Sequence, residues 1–539
     1  MLLRISPFVL LTALLAAQAP EVAVTQAAAK PPEAMATIQQ KELLAHATFL
    51  ASDELKGRLT GSPGQFAAAK YIADHFARLG LEPLGDEVEG KRTWLQHYGV
   101  SRTFVVDGAN LQFGALTLEN GFAILGGKPF EAAFDAKAAF VGLGRKPAGD
   151  AGLDLDGKVA VAVVKPLKGK LDKSLTIEQK FMASFSTFGQ LGKTAKALAK
   201  RGAAAVLFVQ LADPNGLSDT LNYLAAAPGK DSLVANFEGA DPGMGAVAQM
   251  LGSDGGVPTL VLSVPASAQV LGELGLAVDA VTAYAAGGEM PAAKDGVAVK
   301  GKLGLGTDAN AKASNVVAVL RGSDPKLAHE AIVFSAHMDH VGTRIDGEVF
   351  NGADDNASGS AGLLAIASAF ANSKEKPRRS VIFLSVSGEE LGLWGSAYFA
   401  DNPTWDPALL VANVNTDMIG RNGPESSADQ VTVTPSNRHA KFSTIVQDAA
   451  RFGETLGLSF ESGDKYYERS DHFNFAKKGI PVVFFCNGEH EDYHQVTDHA
   501  DKLSGEKMEK IARLAFWTGW AVANADDRPR KLGKRESWR

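Results

Sequence analysis

A chain of 539 residues is long enough for more than one domain, since domains of about 100–200 residues are typical. Its 45% hydrophobic content allows a sizeable core, and a formal charge of −7, from 54 basic and 61 acidic residues, excludes a generally basic nucleic-acid binder. The single cysteine, Cys486, rules out an intramolecular disulfide, and its setting in Pro481-Val482-Val483-Phe484-Phe485-Cys486 reads as a buried thiol rather than a nucleophile.

Residues 1–29 read as a secretory signal. Arg4 supplies the positive start, residues 8–17 a short apolar run, and small residues then allow cleavage after Ala19 or Ala29. That run is too short to span a bilayer, and no other stretch reaches ~18 apolar residues. The mature chain is therefore expected to have no integral membrane segment and to be periplasmic or secreted. Residues 38–82 predict two helices around a breaker-rich turn, with Phe66, Ala69, Ile72, Phe76 and Leu79 on the inward face of the second and Gly80 closing it. From about 110 to 290 short β-like runs dominate (139–143, 159–164, 205–209, 259–264), with one helix at 193–201. No cluster of His, Cys or paired carboxylates occurs there, which predicts a separate β-rich domain without chemistry of its own.

After 300 the pattern changes. Strands are predicted at 331–336, 381–386, 410–415 and 482–486, with helices at 358–371 and about 507–524. Fully apolar strands alternating with helices predict an α/β fold, a mostly parallel mixed sheet with helices on both faces. In such sheets ligands collect at the carboxyl ends of the strands. His337, Asp339, Asp354, Glu389, Glu390, Asp417 and His494 all fall at strand ends. Singly, each has a bland reading: a hydrogen-bonded histidine, a helix-capping Asp354-Asp355, an acidic turn at Glu389-Glu390. Gathered together, these acids would repel one another unless cations neutralise them. Two imidazoles with several carboxylates suit a pair of zinc ions, leaving one glutamate to move protons. Such a site activates water and splits an acyl bond.

The motifs Ser335-Ala336-His337-Met338-Asp339-His340, Gly352-Ala353-Asp354-Asp355-Asn356-Ala357-Ser358-Gly359, Ser387-Gly388-Glu389-Glu390, Asn415-Thr416-Asp417 and Tyr493-His494 with Asp498 resemble those of the two-zinc exopeptidases. That family includes secreted leucyl aminopeptidases and glutamate carboxypeptidases. The resemblance, over roughly 40–110 and 300–525, implies two Zn2+ per chain. Asp354 would bridge them, His337 and Asp417 would complete one site, and Glu390 and His494 the other. It further implies that Glu389 is the general base, that Asp339 hydrogen-bonds His337, and that a cis peptide joins Asp354 and Asp355. Tyr467 would hold the oxyanion, with adjacent Tyr466 as the alternative; His340 would be a loop residue and His472 would pack beneath the site. Residues 110–290 resemble the protease-associated domain, through Asp156-Gly157-Lys158, Gly202-Ala203-Ala204-Ala205-Val206 and Val257-Pro258-Thr259-Leu260. An inserted roof would then divide the main domain into 30–109 and 291–539. Activity on peptides as an aminopeptidase is what the resemblance implies. The alternatives are a carboxypeptidase using Arg421 or Arg469, a one-zinc glutaminyl cyclase, and a metal-free receptor-like binding protein.

Overall fold

A computed structural model describes residues 30–144, 153–164, 177–211, 225–241, 256–424 and 426–538, the side chains of 177–185 excepted. The expected signal segment lies outside the described residues. Helix α1 (Gln40–Leu50) and helix α2 (Pro63–Arg78) flank a turn. Ser62 caps α2 by accepting from the Gln65 amide, and Pro63 occupies the first turn, where its missing N–H costs nothing. The buried stripe of α2 is Gln65, Ala68, Ala69, Ile72 and Phe76, whereas Phe66 is 38% exposed. The expected inward face was thus one residue out at its start.

Strand β1 (Leu95–Val105) leaves the main body and strand β2 (Ala298–Leu320) returns to it, paired antiparallel from Leu95↔Val316 to Val105↔Leu305. Between them lies the inserted body, with a hydrophobic core of its own running from Leu111 to Leu305. It is less purely β than expected. Strands Phe130–Phe140, Val159–Val163, Ala205–Val209 and Thr259–Leu262 are parallel neighbours, and Phe122–Ile124 joins the last of them antiparallel. Helices Ile177–Ala199, Val264–Glu273 and Val278–Ala285 accompany them. Continuous apolar runs such as Val159–Val163, buried at every position, require cover on both faces.

The main sheet contains β3 (Ala331–His337), β4 (Ser380–Val386), β5 (Leu410–Thr416), β6 (Gln430–Thr434), β7 (Ser459–Ser462) and β8 (Val482–Cys486). Its order is β2-β4-β3-β5-β8-β6-β7, with β4, β3, β5 and β8 parallel at the centre. Alternate residues point to opposite faces. Ile332, Phe334 and Ala336 join a core with α1, α2, α3 (Gly359–Ala371) and α4 (Gly505–Asn524), while Ala331 and Val333 join another with Phe399 and Phe475. No single helix among the described residues is long and apolar enough to cross a membrane.

Candidate active site

Register brings the strand ends level: His337 lies opposite Val386, Ser335 opposite Asn415, and Thr416 opposite Phe485. The loops that follow therefore open at one edge of the sheet. His337 is fully buried at the end of β3. Its Nδ1 lies 3.2 Å from the main-chain oxygen of Asp339 and donates to it. Nε2 then faces the acids, 3.2 Å from Asp417 Oδ1, 3.4 Å from Asp355 Oδ1 and 3.9 Å from Glu389 Oε2. The Asp339 carboxylate is 3.7 Å from Nδ1, beyond a hydrogen bond. It instead accepts from the Thr60 hydroxyl at 2.8 Å and the Glu389 amide at 3.4 Å. Asp339 thus orients the imidazole through its main chain and steadies the Glu389 loop through its side chain.

The second imidazole, His494, has Nε2 3.0 Å from both Asp355 Oδ2 and Glu390 Oε2. Its φ of +55° is left-handed, which costs a non-glycine residue about 1–2 kcal/mol. The loop is held in part by Asp492, which pairs with Arg421 and accepts from Lys502 at 2.8 Å and from Thr497.

The residue between the two imidazoles is Asp355. Asp354, expected there, turns away: its Oδ1 accepts from the Gly420 amide at 2.6 Å and its Oδ2 lies 3.2 Å from His490 Nε2. Asp355 has near-extended dihedrals, φ −105° and ψ 95°, so neighbouring side chains leave the chain on opposite sides. Gly420 completes the Asp354 niche, since a Cβ there would stand 2.9 Å from Asp354 Oδ1. The cis peptide joins Asp355 and Asn356, not Asp354 and Asp355. Asp498 accepts from the amides of Asp354 and Asp355 at 3.0 and 3.2 Å, and burial, reinforced by Asp354, pushes its carboxyl up to about 6.

Other side chains join that the sequence reading left out. His340, expected as a loop residue, is buried with Nδ1 2.6 Å from Glu390 Oε1. Its spacing, three residues after His337 in one motif, was the available signal. Ser470 donates to Asp417 Oδ2 at 2.8 Å, and burial raises the neighbouring Asp471 carboxyl to about 7, aided by Asp417 and Asp339. His472 packs against Phe484 with ring centroids 4.5 Å apart, and burial lowers its pKa to about 3. Arg58, wholly buried, donates to the carbonyls of Met338, Asn351 and Gly352 at 2.7–2.9 Å, tying the loop that leads to Asp355.

The charge balance explains what the cluster needs. Burial disfavours charged imidazoles, yet Asp417 and Glu389 hold the His337 pKa well above its usual value. Glu390 and Asp355 do the same for His494. Glu389 is raised as well: burial, with Asp417 and Glu390, pushes its carboxyl well up against the pull of His337. Acids outnumber imidazoles here, and without cations only proton uptake can balance them. Ligand atoms of His337, Asp355 and Asp417, and of His340, Asp355 and Glu390, lie within 4.8 Å of one another, two sets that share Asp355.

A pocket adjoins these acids, lined by Met418, Tyr466, Phe484, Cys486 and Tyr493, with Arg469 and Glu489 also in its wall. Tyr466, not Tyr467, faces it. Tyr467 instead packs on His439 and Phe473, with centroids 4.1 and 5.8 Å away. Cys486 is a buried thiol in that wall, its pKa pushed well up by burial.

Residues 315–518 match peptidase family M28. Leupeptin-inactivating enzyme 1 of Streptomyces exfoliatus is 28% identical over 239 residues, covering 42% of this chain and 50% of that protein. Aminopeptidase YwaD of Bacillus subtilis is 25% identical over 235 residues, 42% of this chain and 48% of that one. The chain spans about half the length of the curated relatives it matches. A solved zinc aminopeptidase from Bacillus subtilis superposes with a TM-score of 0.53 at 17% identity, covering 91% of this chain and 96% of its own. A peptidase M28 precursor from Shewanella amazonensis gives 0.51 at 18%, covering 93% and 98%. At such identities these two likenesses establish the shared fold.

Proposed function

We propose, from the match of residues 315–518 to peptidase family M28, that the chain is a zinc-dependent aminopeptidase, periplasmic or secreted, that removes N-terminal residues from peptides. The observation that carries the reading is the shared carboxylate: Asp355 stands 3.4 Å from the His337 nitrogen and 3.0 Å from that of His494. The donor set fits two zinc ions, which accept nitrogen and oxygen ligands. Asp355 Oδ2 is buried beside the His494 nitrogen, 3.0 Å away, two donors suited to one cation. His337 and Asp417 would hold one ion, Glu390 and His494 the other, and Asp355 both. When bound, such a pair lowers the pKa of a coordinated water and polarises the scissile carbonyl. Glu389 takes the proton from the attacking water and delivers it to the leaving amine, a task suited to a buried carboxyl of raised pKa. Tyr466, in the pocket wall, donates to the developing oxyanion.

The amino direction is supported by how the two arginines are engaged. A carboxypeptidase would need a cation for the substrate's terminal carboxylate. Arg421 is paired with Asp492, and Arg469 with Glu489 at 2.7 Å. The surrounding acids suit a substrate ammonium instead, and Met418, Phe484 and Tyr493 in the pocket wall suit its first side chain. The inserted body rests on the turn that follows Glu390: Trp394 Nε1 donates to the Asp241 carbonyl at 2.9 Å. In this reading it roofs the site and restricts access. The periplasmic or secreted location rests on Arg4 and the apolar run that follows it.

Amino-acid anilides with free amines should be cleaved, N-blocked dipeptides should not, and a chelator should stop the reaction. Release of the C-terminal residue from N-blocked dipeptides would reverse the direction. Tyr466→Phe should lower kcat by ~100-fold, the usual loss of an oxyanion donor, while Tyr467→Phe leaves it nearly unchanged. The opposite order of effects would return the role to Tyr467.

A further inference from the structure

Away from the strand ends, α1 and α2 gather a second set of donors against α3. Glu42 and His46 are one turn apart on α1, His75 comes from α2, and one ligand atom of each lies within 4.8 Å of the other two. His46 and His75 are only 7% and 8% exposed, their rings edge to face with centroids 4.9 Å apart. His46 Nδ1 lies 2.7 Å from the Tyr71 hydroxyl. Its other nitrogen, Nε2, is buried with no hydrogen bond and lies 3.7 Å from Glu42 Oε1. With Nδ1 engaged by Tyr71, Nε2 is the ring nitrogen left to face Glu42. Ser368 Oγ, on α3, is 3.0 Å from His75 Nε2 and donates to Glu42 Oε1 at 3.2 Å, keeping both side chains turned to one point.

We propose that Glu42, His46 and His75 form a further metal site for one divalent transition ion of zinc type, distinct from the strand-end pair. Two imidazoles and a carboxylate are a donor set that such an ion accepts, and bonds of about 2.0–2.1 Å place tetrahedral donors roughly 3.3 Å apart. The 3.7 Å between His46 and Glu42 needs little adjustment. The half-exposed Glu42 leaves a coordination position open to water. Ser368 stands roughly 13 Å along α3 from Gly359 at the active-site end, so the two centres share no ligand. Bound there, the ion clamps α1 to α2, and Ser368 ties that pair to α3. The turn between α1 and α2 carries Arg58 and Thr60, which hold the Asn351–Gly352 carbonyls and Asp339.

The test counts metal in the full-length protein, stripped by chelator, re-equilibrated with Zn(II) and analysed by plasma mass spectrometry. Wild type should hold three zinc ions per chain and His46→Gln two. Asp355→Ala should keep one, which adding His46→Gln removes. Zn(II) should raise the melting temperature of Asp355→Ala but not of the double variant. Tyr71→Phe, which frees the His46 ring, should weaken this ion's affinity by about 10–100-fold. Equal zinc content in wild type and folded His46→Gln would overturn the proposal, leaving a hydrogen-bonded cluster. Should His46→Gln fail to fold, Glu42→Gln at the half-exposed position gives the same comparison. One ion in wild type that disappears in His46→Gln would keep this site and sink the strand-end pair, so the two readings fail separately.

Discussion

Asp355→Ala should strip both strand-end ions and abolish hydrolysis, while its neighbour Asp354→Ala keeps both at saturating zinc. Asp355 approaches both imidazoles closely, at 3.4 and 3.0 Å, so it is the carboxylate placed to serve both ion positions. Its removal also leaves His337 and His494 confronting separate acids with nothing between them. Asp354 acts at one remove, through the Gly420 amide and His490. Losing such support costs about 10–100-fold in metal affinity, which excess zinc offsets. Zinc content and anilide turnover, measured on both variants, check the assignment. Strand-end zinc that survives in Asp355→Ala but not in Asp354→Ala would hand the bridging role back to Asp354.

The second large effect separates rate from metal content. Glu389→Gln should reduce turnover by ~100- to 10,000-fold with both ions in place, because the amide fills the same volume but cannot take a proton. Glu389 is 3.9 Å from the His337 nitrogen, farther than Asp355 or Asp417, which leaves its carboxylate the freest of the acids around that ring. Glu390→Gln should do the reverse and lower zinc content first, since Glu390 lies 3.0 Å from His494 Nε2 and 2.6 Å from His340 Nδ1. Full activity in a zinc-replete Glu389→Gln would exclude Glu389 as the base.

The central strands were legible because β3, β4, β5 and β8 are buried at every position and so read as mainly apolar runs, broken in β5 by the buried Asn413 and Asn415. β2 was not, since Thr307-Asp308-Ala309-Asn310 reads as a turn and forms an irregularity within a strand that continues past it. In the inserted body, helix Val264–Glu273 was hidden because its Val-Pro start follows directly on an apolar strand. At the site, motif spacing brought the right loops to one sheet edge. It could not say which member of a doublet turns inward. Asp354 against Asp355, and Tyr466 against Tyr467, are decided by backbone dihedrals and by niches such as that of Gly420, and neither is carried by residue type. His340 was passed over for a related reason: a histidine three residues beyond another reaches the same acids only if the chain turns sharply between them.

The paired β1 and β2 also bear on how the molecule assembles. Leu95 meets Val316 only after the whole inserted body has been made, and the edge of the main sheet depends on that meeting. Pairings of such long sequence separation are slow, because the loop they close must first lose its freedom. A folded insertion shortens that loop to the distance between the two strand ends. The inserted body is thus placed to fold first during synthesis and to deliver β2 in register, so that the main sheet condenses onto a ribbon already formed.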